Sequence, residues 1–159
     1  MGNSSSRSVL RTILVAGICV GLLDILDAFV FFGLYGAAPI RILEHIASGL
    51  LGRAAFSGGW STAMLGLALH FFIAITIAAV YILAARKIPA LRERFVLFGM
   101  LYGVAAYFVM NSVVVPLSRV VPRPHYALGP FLNGIFGHAL LVGLPIAFFA
   151  RRAERLLPQ

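Results

Sequence analysis

Charged residues are scarce in this chain of 159 residues, since Asp, Glu, Lys and Arg together make up only 11% of it. Hydrophobic residues make up 61%, and the mean hydropathy is +0.98. A soluble globular domain carries about 25% charged residues, so that class is excluded. The apolar runs are long and do not alternate with polar residues, which excludes an outer-membrane β-barrel. The composition therefore predicts a helical integral membrane protein.

Cysteine occurs once, as Cys19 in the first apolar run, so an intramolecular disulfide is excluded. Acidic residues number 5 against 13 Lys and Arg residues, which gives a formal net charge of +8. The basic residues lie at the ends of apolar runs and do not form one continuous face, which argues against nucleic acid as a partner. Membrane lipids, with anionic headgroups at the cytoplasmic face, are the partners that this distribution predicts.

Four segments have the length of about 20 mostly apolar residues that a transmembrane helix needs. They are residues 11–35, 60–85, 95–117 and 131–150. The polar residues 1–8 are predicted to be a disordered tail. We therefore expect an all-α, polytopic membrane protein in which a single domain, residues 1–159, forms a four-transmembrane-helix bundle.

The basic residues also distinguish the two sides of the predicted bundle. Nine of them lie before the first span, between the second and third, or after the fourth: Arg7, Arg11, Arg86, Lys87, Arg92, Arg94, Arg151, Arg152 and Arg155. Four lie on the other side: Arg41, Arg53, Arg119 and Arg123. Because basic residues concentrate in cytoplasmic loops, both termini are expected in the cytoplasm. Trp60 and Tyr126 then belong to the outer interface.

The two outer connections differ in character. In the first, "APIRILEHIASGLLGRAAFSGG", apolar residues recur at helical spacing opposite polar ones, which predicts a short interfacial helix. Glu44 and His45 of this helix are expected on a solvated polar face; in the alternative that stays open, they join the polar residues of the spans from above. The second, "VPLSRVVPRPHYALGP", holds four prolines and is expected to form an extended cap, because proline cannot continue a helix.

Five of the polar residues in the apolar spans are the candidate site residues: Asp24, Asp27, His70, Asn111 and His138. A carboxylate at the centre of a membrane helix costs about 2.5 to 3.5 kcal/mol, and such a placement indicates a partner or a task. Asp24 lies on one helical stripe with Gly17 and Gly21, so it should face a neighbouring helix. The rise of 1.5 Å per residue places all five in the outer leaflet.

Glycine and proline predict how the spans pack. The pair Gly17 and Gly21, like the pair Gly99 and Gly103, has the four-residue spacing of small residues that lets helix backbones approach closely. Pro145 is expected to kink the fourth span.

The polar residues fit more than one chemistry. Two carboxylates three residues apart repel each other unless a cation or a shared proton lies nearby. Asp24, Asp27, His70 and His138 are ligand types that suit a divalent Zn, Mn or Fe ion, and the same set suits a proton relay, in which Asn111 would orient a ligand or water. These readings predict a polar pocket in the outer leaflet that binds a cation or relays protons.

Two alternatives remain open at this point. His70 and His138 alternatively fit the two axial ligands of a single haem, as in membrane cytochromes. In the second alternative, the chain is a non-catalytic assembly subunit whose polar residues hold helices together and whose glycine stripes bind a partner. If the chain forms a dimer, the face with Gly17 and Gly21 is where a second copy could pack. The sequence contains no H-E-x-x-H or H-x-x-E-H run and no evident Ser–His or Cys–His arrangement, so an enzyme is not predicted.

Three stretches carry a resemblance to a known family. "LHFFIAITIAAVY", "FGMLYGVAAYFVMNSVVVPLS" and "IFGHALLVGLPIAFFARR" resemble the YagU-like family of small bacterial inner-membrane proteins, over about the last hundred residues. The shared features are an early histidine in one span, a glycine-rich third span ending near a proline, and F-G-H before a basic tail. The resemblance implies a helical bundle in the bacterial inner membrane and singles out His70 and His138. It implies no reaction, and Asp24 and Asp27 match no motif of the family.

Overall fold

A computed structural model describes residues 2–120 and 127–155, with the surroundings of the side chains for residues 6–120 and 127–153. These residues form helices and connecting turns, without β-strands among them. Four helices are long and apolar enough to cross a membrane, and we refer to them in chain order as the first to fourth long helices: Ser6–Gly33, Trp60–Lys87, Phe95–Leu117 and Leu128–Ala153. The predicted all-α class and the four long helices are confirmed.

The helical segments follow one another with few residues between them. The α-helices are α1 Gly2–Gly33, α2 Pro39–Leu51, α3 Trp60–Lys87, α4 Ala90–Glu93, α5 Phe95–Val109, α6 Val115–Leu117, α7 Leu128–Gly137 and α8 Leu144–Arg155. A 3₁₀ turn covers Gly52–Ser57, and two wide, π-helical turns cover Met110–Val114 and His138–Gly143. Residues 121–126 of the proline-rich connection, with Tyr126, lie outside the described residues. At the two ends of this connection, α6 and the start of α7 are helical, so the predicted extended cap is wrong there.

The N-terminal residues differ from the prediction of a disordered tail. Helix α1 begins at Gly2, so the residues from Gly2 to Ser8 continue the first long helix. Once a long helix has formed, each added residue gains one backbone hydrogen bond without a new nucleation cost. The side chain of Thr12 also donates to the carbonyl oxygen of Ser8 at 3.0 Å. A polar composition alone therefore did not end the helix.

The predicted short helix in the first connection is present as α2. It begins with Pro39 at its first position, where the fixed φ of proline suits a helix and the missing N–H is not needed. It ends before Gly52, whose φ of 61° favours glycine. α2 packs against α3 so closely that a Cβ at Gly66 would overlap the carbonyl oxygen of Leu43.

Part of the polar side of α2 is buried, and the prediction that Glu44 lies on a solvated face is wrong. Glu44 is 3% exposed and Ser48 is fully buried, whereas Leu50 at the end of the helix is exposed. Arg41 Nη1 donates to Glu44 Oε2 at 2.9 Å, and this ion pair offsets part of the cost of burying the carboxylate. The apolar pattern of α2 identified only part of its buried side, since Leu43 and Ala47 are buried together with Glu44 and Ser48.

Small residues bring the long helices together. The main core lies where the first, second and fourth long helices meet, and Ala16, Ala78 and Ala147 are fully buried there. The close packing predicted for Gly17 and Gly21 is confirmed, since a Cβ at Gly17 would lie 2.6 Å from the Cα atom of Ile75. The face with Gly17 and Gly21 is thus covered by α3 of the same chain and does not offer a surface to a second copy.

Glycine residues lie where the third and fourth long helices cross. A Cβ at Gly103 would overlap the carbonyl oxygen of His138, and one at Gly143 would overlap the carbonyl oxygen of Gly99. The close packing predicted for Gly99 and Gly103 is therefore confirmed as well. Because the two backbones are in contact at this crossing, the crossing sets the position of His138 along the axis of α5.

Both wide turns lie just before a proline. Met110–Val114 ends two residues before Pro116, and His138–Gly143 ends two residues before Pro145. Proline has no N–H to donate, and its ring crowds the carbonyl four residues earlier. A wide turn relieves that crowding and lets the helix continue, and such turns occur often at functional sites. Asn111 and His138, two of the predicted site residues, lie in these turns.

Candidate functional site

The five predicted site residues lie around two neighbouring cavities among the long helices. The larger, of about 270 Å³, is lined by Asp24, His70 and His138 and by His45 of α2. The smaller, of about 220 Å³, is lined by Asp24, Asp27, Asn111 and His138. Asp24 and His138 border both cavities. The structure therefore brings the five residues into one region, and only Asp24 and His138 among them lie on the wall that the two cavities share.

Asp24 and His138 face each other across the first and fourth long helices. Asp24 Oδ1 lies 3.8 Å from His138 Nδ1, and the two side chains are 28% and 21% exposed. This distance exceeds a hydrogen bond but is short enough for a direct attraction when the imidazole is protonated. The ring of His138 also packs edge-on against Tyr107, with 5.5 Å between centroids. The two side chains thus form an ion pair only when the imidazole of His138 carries a second proton.

Asp27 has a partner of its own. Asn133 Nδ2 donates to Asp27 Oδ2 at 2.8 Å. The fourth long helix runs antiparallel to the first, so Asp24 meets His138 and Asp27 meets Asn133 further along. The separate partners account for two carboxylates placed three residues apart. Asn133 was not among the predicted site residues, although an amide in an apolar span was the signal used for Asn111.

His70 and Asn111 bond to backbone carbonyls. His70 Nε2 donates to the carbonyl oxygen of Gly21 at 2.8 Å, which joins the second long helix to the first and leaves Nδ1 as the acceptor nitrogen. Asn111 Nδ2 donates to the carbonyl oxygen of Tyr107 at 2.9 Å, within its own helix. His70 therefore positions α3 against α1, and Asn111 stays at the border of the smaller cavity.

The residues predicted as metal ligands are not arranged as one coordination shell. In residues 6–120 and 127–153, no three His, Cys, Asp or Glu side chains are grouped closely enough to hold a metal ion. Asp27 is bonded to Asn133, and His70 Nε2 is bonded to Gly21. A haem held by His70 and His138 requires an imidazole nitrogen from each ring, and on His70 only Nδ1 is left for that role. The four residues predicted as metal ligands therefore do not form a single ligand shell, whereas the haem alternative stays a prediction.

Fold and site together define a class: a bundle of four helices long and apolar enough to cross a membrane, with a polar cluster between the first and fourth. Comparison of the chain with protein-family models, with curated proteins and with solved structures found no significant match.

Proposed function

We propose that this chain is a multi-pass protein of the bacterial inner membrane that takes up and releases protons at the Asp24–His138 pair. The observation that carries the proposal is the position of this pair, 3.8 Å apart on the wall shared by two cavities. Aspartate and histidine are the residues from which membrane proteins build proton relays. The proposed relay lies in the outer leaflet, with both termini in the cytoplasm.

Several features support the membrane location. Large apolar side chains cover the outside of the long helices, and Phe72 is 68% exposed and Val30 66% exposed. Exposure of this kind suits contact with acyl chains, whereas a soluble protein rarely exposes apolar patches of this extent. The proposed orientation rests on the nine basic residues of one side against four of the other. The resemblance to the YagU-like family is a further argument for the bacterial inner membrane.

The two partners of the pair have complementary roles in the proposed relay. A proton on His138 gives an imidazolium that Asp24 attracts, and its release leaves a neutral ring beside the carboxylate. Because both residues border both cavities, a proton accepted from one cavity can leave to the other. Asp27 is held by Asn133, and His70 presents Nδ1 as a further acceptor. The carboxylate of Asp24 also suits a small cation, and the experiments must distinguish binding of such a cation from binding of a proton.

Replacing Asp24 by asparagine is expected to abolish proton uptake. Asp24→Asn keeps the shape of the side chain but removes the charge that attracts the imidazolium. We expect proteoliposomes with a trapped pH-sensitive dye to show uptake by the wild-type protein after an imposed pH gradient, and only the background of empty liposomes with the variant. A small cation bound at Asp24 would instead make the signal of the wild type depend on Na⁺ or K⁺.

The matched control is Thr76→Val, which removes a polar group from the second long helix. Thr76 bonds to the carbonyl oxygen of Phe72 and borders neither cavity, so uptake should be retained. Far-UV circular dichroism of both variants establishes that they are folded. Unchanged uptake in a folded Asp24→Asn protein would refute the role of the pair.

A non-catalytic assembly subunit is the second candidate. It is favoured by the partners that the polar residues already have on other helices, as in the bonds of Asp27 with Asn133 and of His70 with Gly21. This candidate predicts that Asp24→Asn changes stability and that the wild type shows no proton uptake. Elemental analysis and a visible absorption spectrum of the purified protein test the metal and haem alternatives in the same preparation.

The orientation gives a labelling prediction. In a Cys19→Ser background, Ser57→Cys at the proposed outer end should react with a membrane-impermeant maleimide in intact spheroplasts. Lys87→Cys at the other end of α3 should react only after lysis. Both positions are exposed, so they form a matched pair. The reverse pattern would show that the termini face the outside.

A further inference from the structure

A third cavity, of about 210 Å³, lies at the end of the bundle away from the polar cluster. It is enclosed by α1, α3, α4 and α8, and its polar border includes Ser8, Thr12, Arg86 and Arg92. No acidic side chain is among the described residues that line it. The cavity therefore combines two guanidinium groups and two hydroxyl-bearing side chains in one place, on the side to which the charge distribution assigns the cytoplasm.

The two arginines are held differently. Arg92 Nη1 donates to the carbonyl oxygen of Ala85, so its guanidinium is fixed over the last turns of α3. Arg86 is exposed and has no acidic partner in the part of the chain that the structure describes. Arg151, at the same end, instead lies over the ring of Phe95 at 4.6 Å and does not line the cavity. Arg86 and Arg92 are thus distinguished from the other basic residues of this end.

The rest of the wall is apolar. Val9, Ile82 and Ala150 line the cavity beside the charged groups. An anion that carries an apolar chain would pack that chain against this wall and place its charged group at the arginines. Guanidinium groups bind phosphate oxygens through paired N–H donors, and basic pockets between helices at the cytoplasmic side are typical sites for anionic headgroups.

We propose that this cavity binds a phosphate group, carried by an anionic phospholipid or present as free phosphate, between Arg86 and Arg92. This assignment depends on the proposed membrane location and not on proton uptake at Asp24. Arg86 supplies the accessible cation, Ser8 supplies a hydroxyl donor in the cavity wall, and Arg92, already bonded within the protein, adds a second positive charge. A headgroup held there would join α1, α3 and α8 at the basic end of the bundle.

The test uses the full-length protein in a neutral detergent. Dioctanoyl phosphatidylglycerol, dioctanoyl phosphatidylcholine and inorganic phosphate are added separately, and binding is measured by native mass spectrometry and by the shift in Tm. We expect phosphatidylglycerol to bind and to raise Tm, and phosphatidylcholine to do neither. Binding of inorganic phosphate that also depends on Arg86 would identify free phosphate as a second source of the same group.

Arg86→Gln is the deciding variant, because Arg86 is exposed and its loss should not disturb the fold. We expect it to weaken binding about tenfold, the size of one lost charge-assisted hydrogen bond. Arg152→Gln removes the same charge at the same end, outside the cavity, and should leave binding unchanged. An equal loss in both variants, or no binding by the wild type, would overturn the proposal. Retained headgroup binding in Asp24→Asn would show that the two proposals stand separately.

Discussion

Replacing Gly103 by valine is expected to yield a protein whose third and fourth long helices no longer pack. The Cβ of any larger residue at this position would overlap the carbonyl oxygen of His138. A flexible side chain could move aside, but here the neighbour is backbone, so the helices must separate. Overpacking a tight core costs about 1–3 kcal/mol and occasionally more, and contact with backbone puts Gly103→Val at the upper end. The same shift would move His138 away from Asp24.

Thermal unfolding in detergent, followed by circular dichroism, measures this effect. Gly33→Val is the matched control, since a Cβ at Gly33, at the end of α1, would meet nothing within 4 Å. We expect Gly103→Val to lower Tm strongly, Gly103→Ala to lower it less, and Gly33→Val to leave it nearly unchanged. Equal stability of the two valine variants would contradict the glycine crossing.

The long helices were predictable because their signal is length. About 20 apolar residues in a row need no knowledge of the neighbours, and the ends are marked by residues such as Trp60 and Lys87. The glycine pairs were predictable for a related reason, since a small residue repeated every fourth position marks a contact side of its helix. Both signals lie within one segment of chain and do not depend on how the helices are arranged.

The pairing of the polar residues could not be predicted in this way. The rise per residue gives the depth of a side chain, but its partner depends on how each helix is rotated about its axis. A helix that is apolar all round carries little information about that rotation. Asp27 therefore meets Asn133, a residue that depth alone would not have selected, and His70 meets the backbone of Gly21 rather than a carboxylate. The same residue types that suggest a ligand shell form pairs between helices instead.

The wide turns connect the fold to the proposed site. Pro116 and Pro145 each require a helix to adjust its hydrogen bonds, and in both cases the adjustment comes before the proline. His138 is the first residue of one wide turn, and its carbonyl lies at Gly103. The position of its imidazole thus depends on a proline seven residues later and on a glycine in another helix. Neither dependence is visible in the immediate sequence of the histidine.

Arg41→Ala is expected to destabilise the protein by about 1–3 kcal/mol, the usual cost of leaving a buried polar group without its partner. Glu44 is 3% exposed, and Arg41 Nη1 is its ion-pair partner at 2.9 Å. The side chain of Arg41 is 59% exposed, so its own desolvation costs little and its removal mainly affects the buried carboxylate. Arg41 also donates to the carbonyl oxygen of Phe56 at 3.2 Å, which fastens α2 to the 3₁₀ turn.

A double-mutant cycle separates these two effects. Glu44→Gln removes the charge but keeps the shape, so Arg41→Ala should cost much less in that background, and the difference is the coupling energy of the pair. Arg53→Ala is the matched control, because Arg53 is exposed in the same connection and pairs with no acidic residue in the described chain. If Arg41→Ala cost the same with and without the carboxylate, the bond to Phe56 would account for the whole effect. The burial of Glu44 would then have to be compensated by α3, against which α2 packs at Gly66, rather than by Arg41.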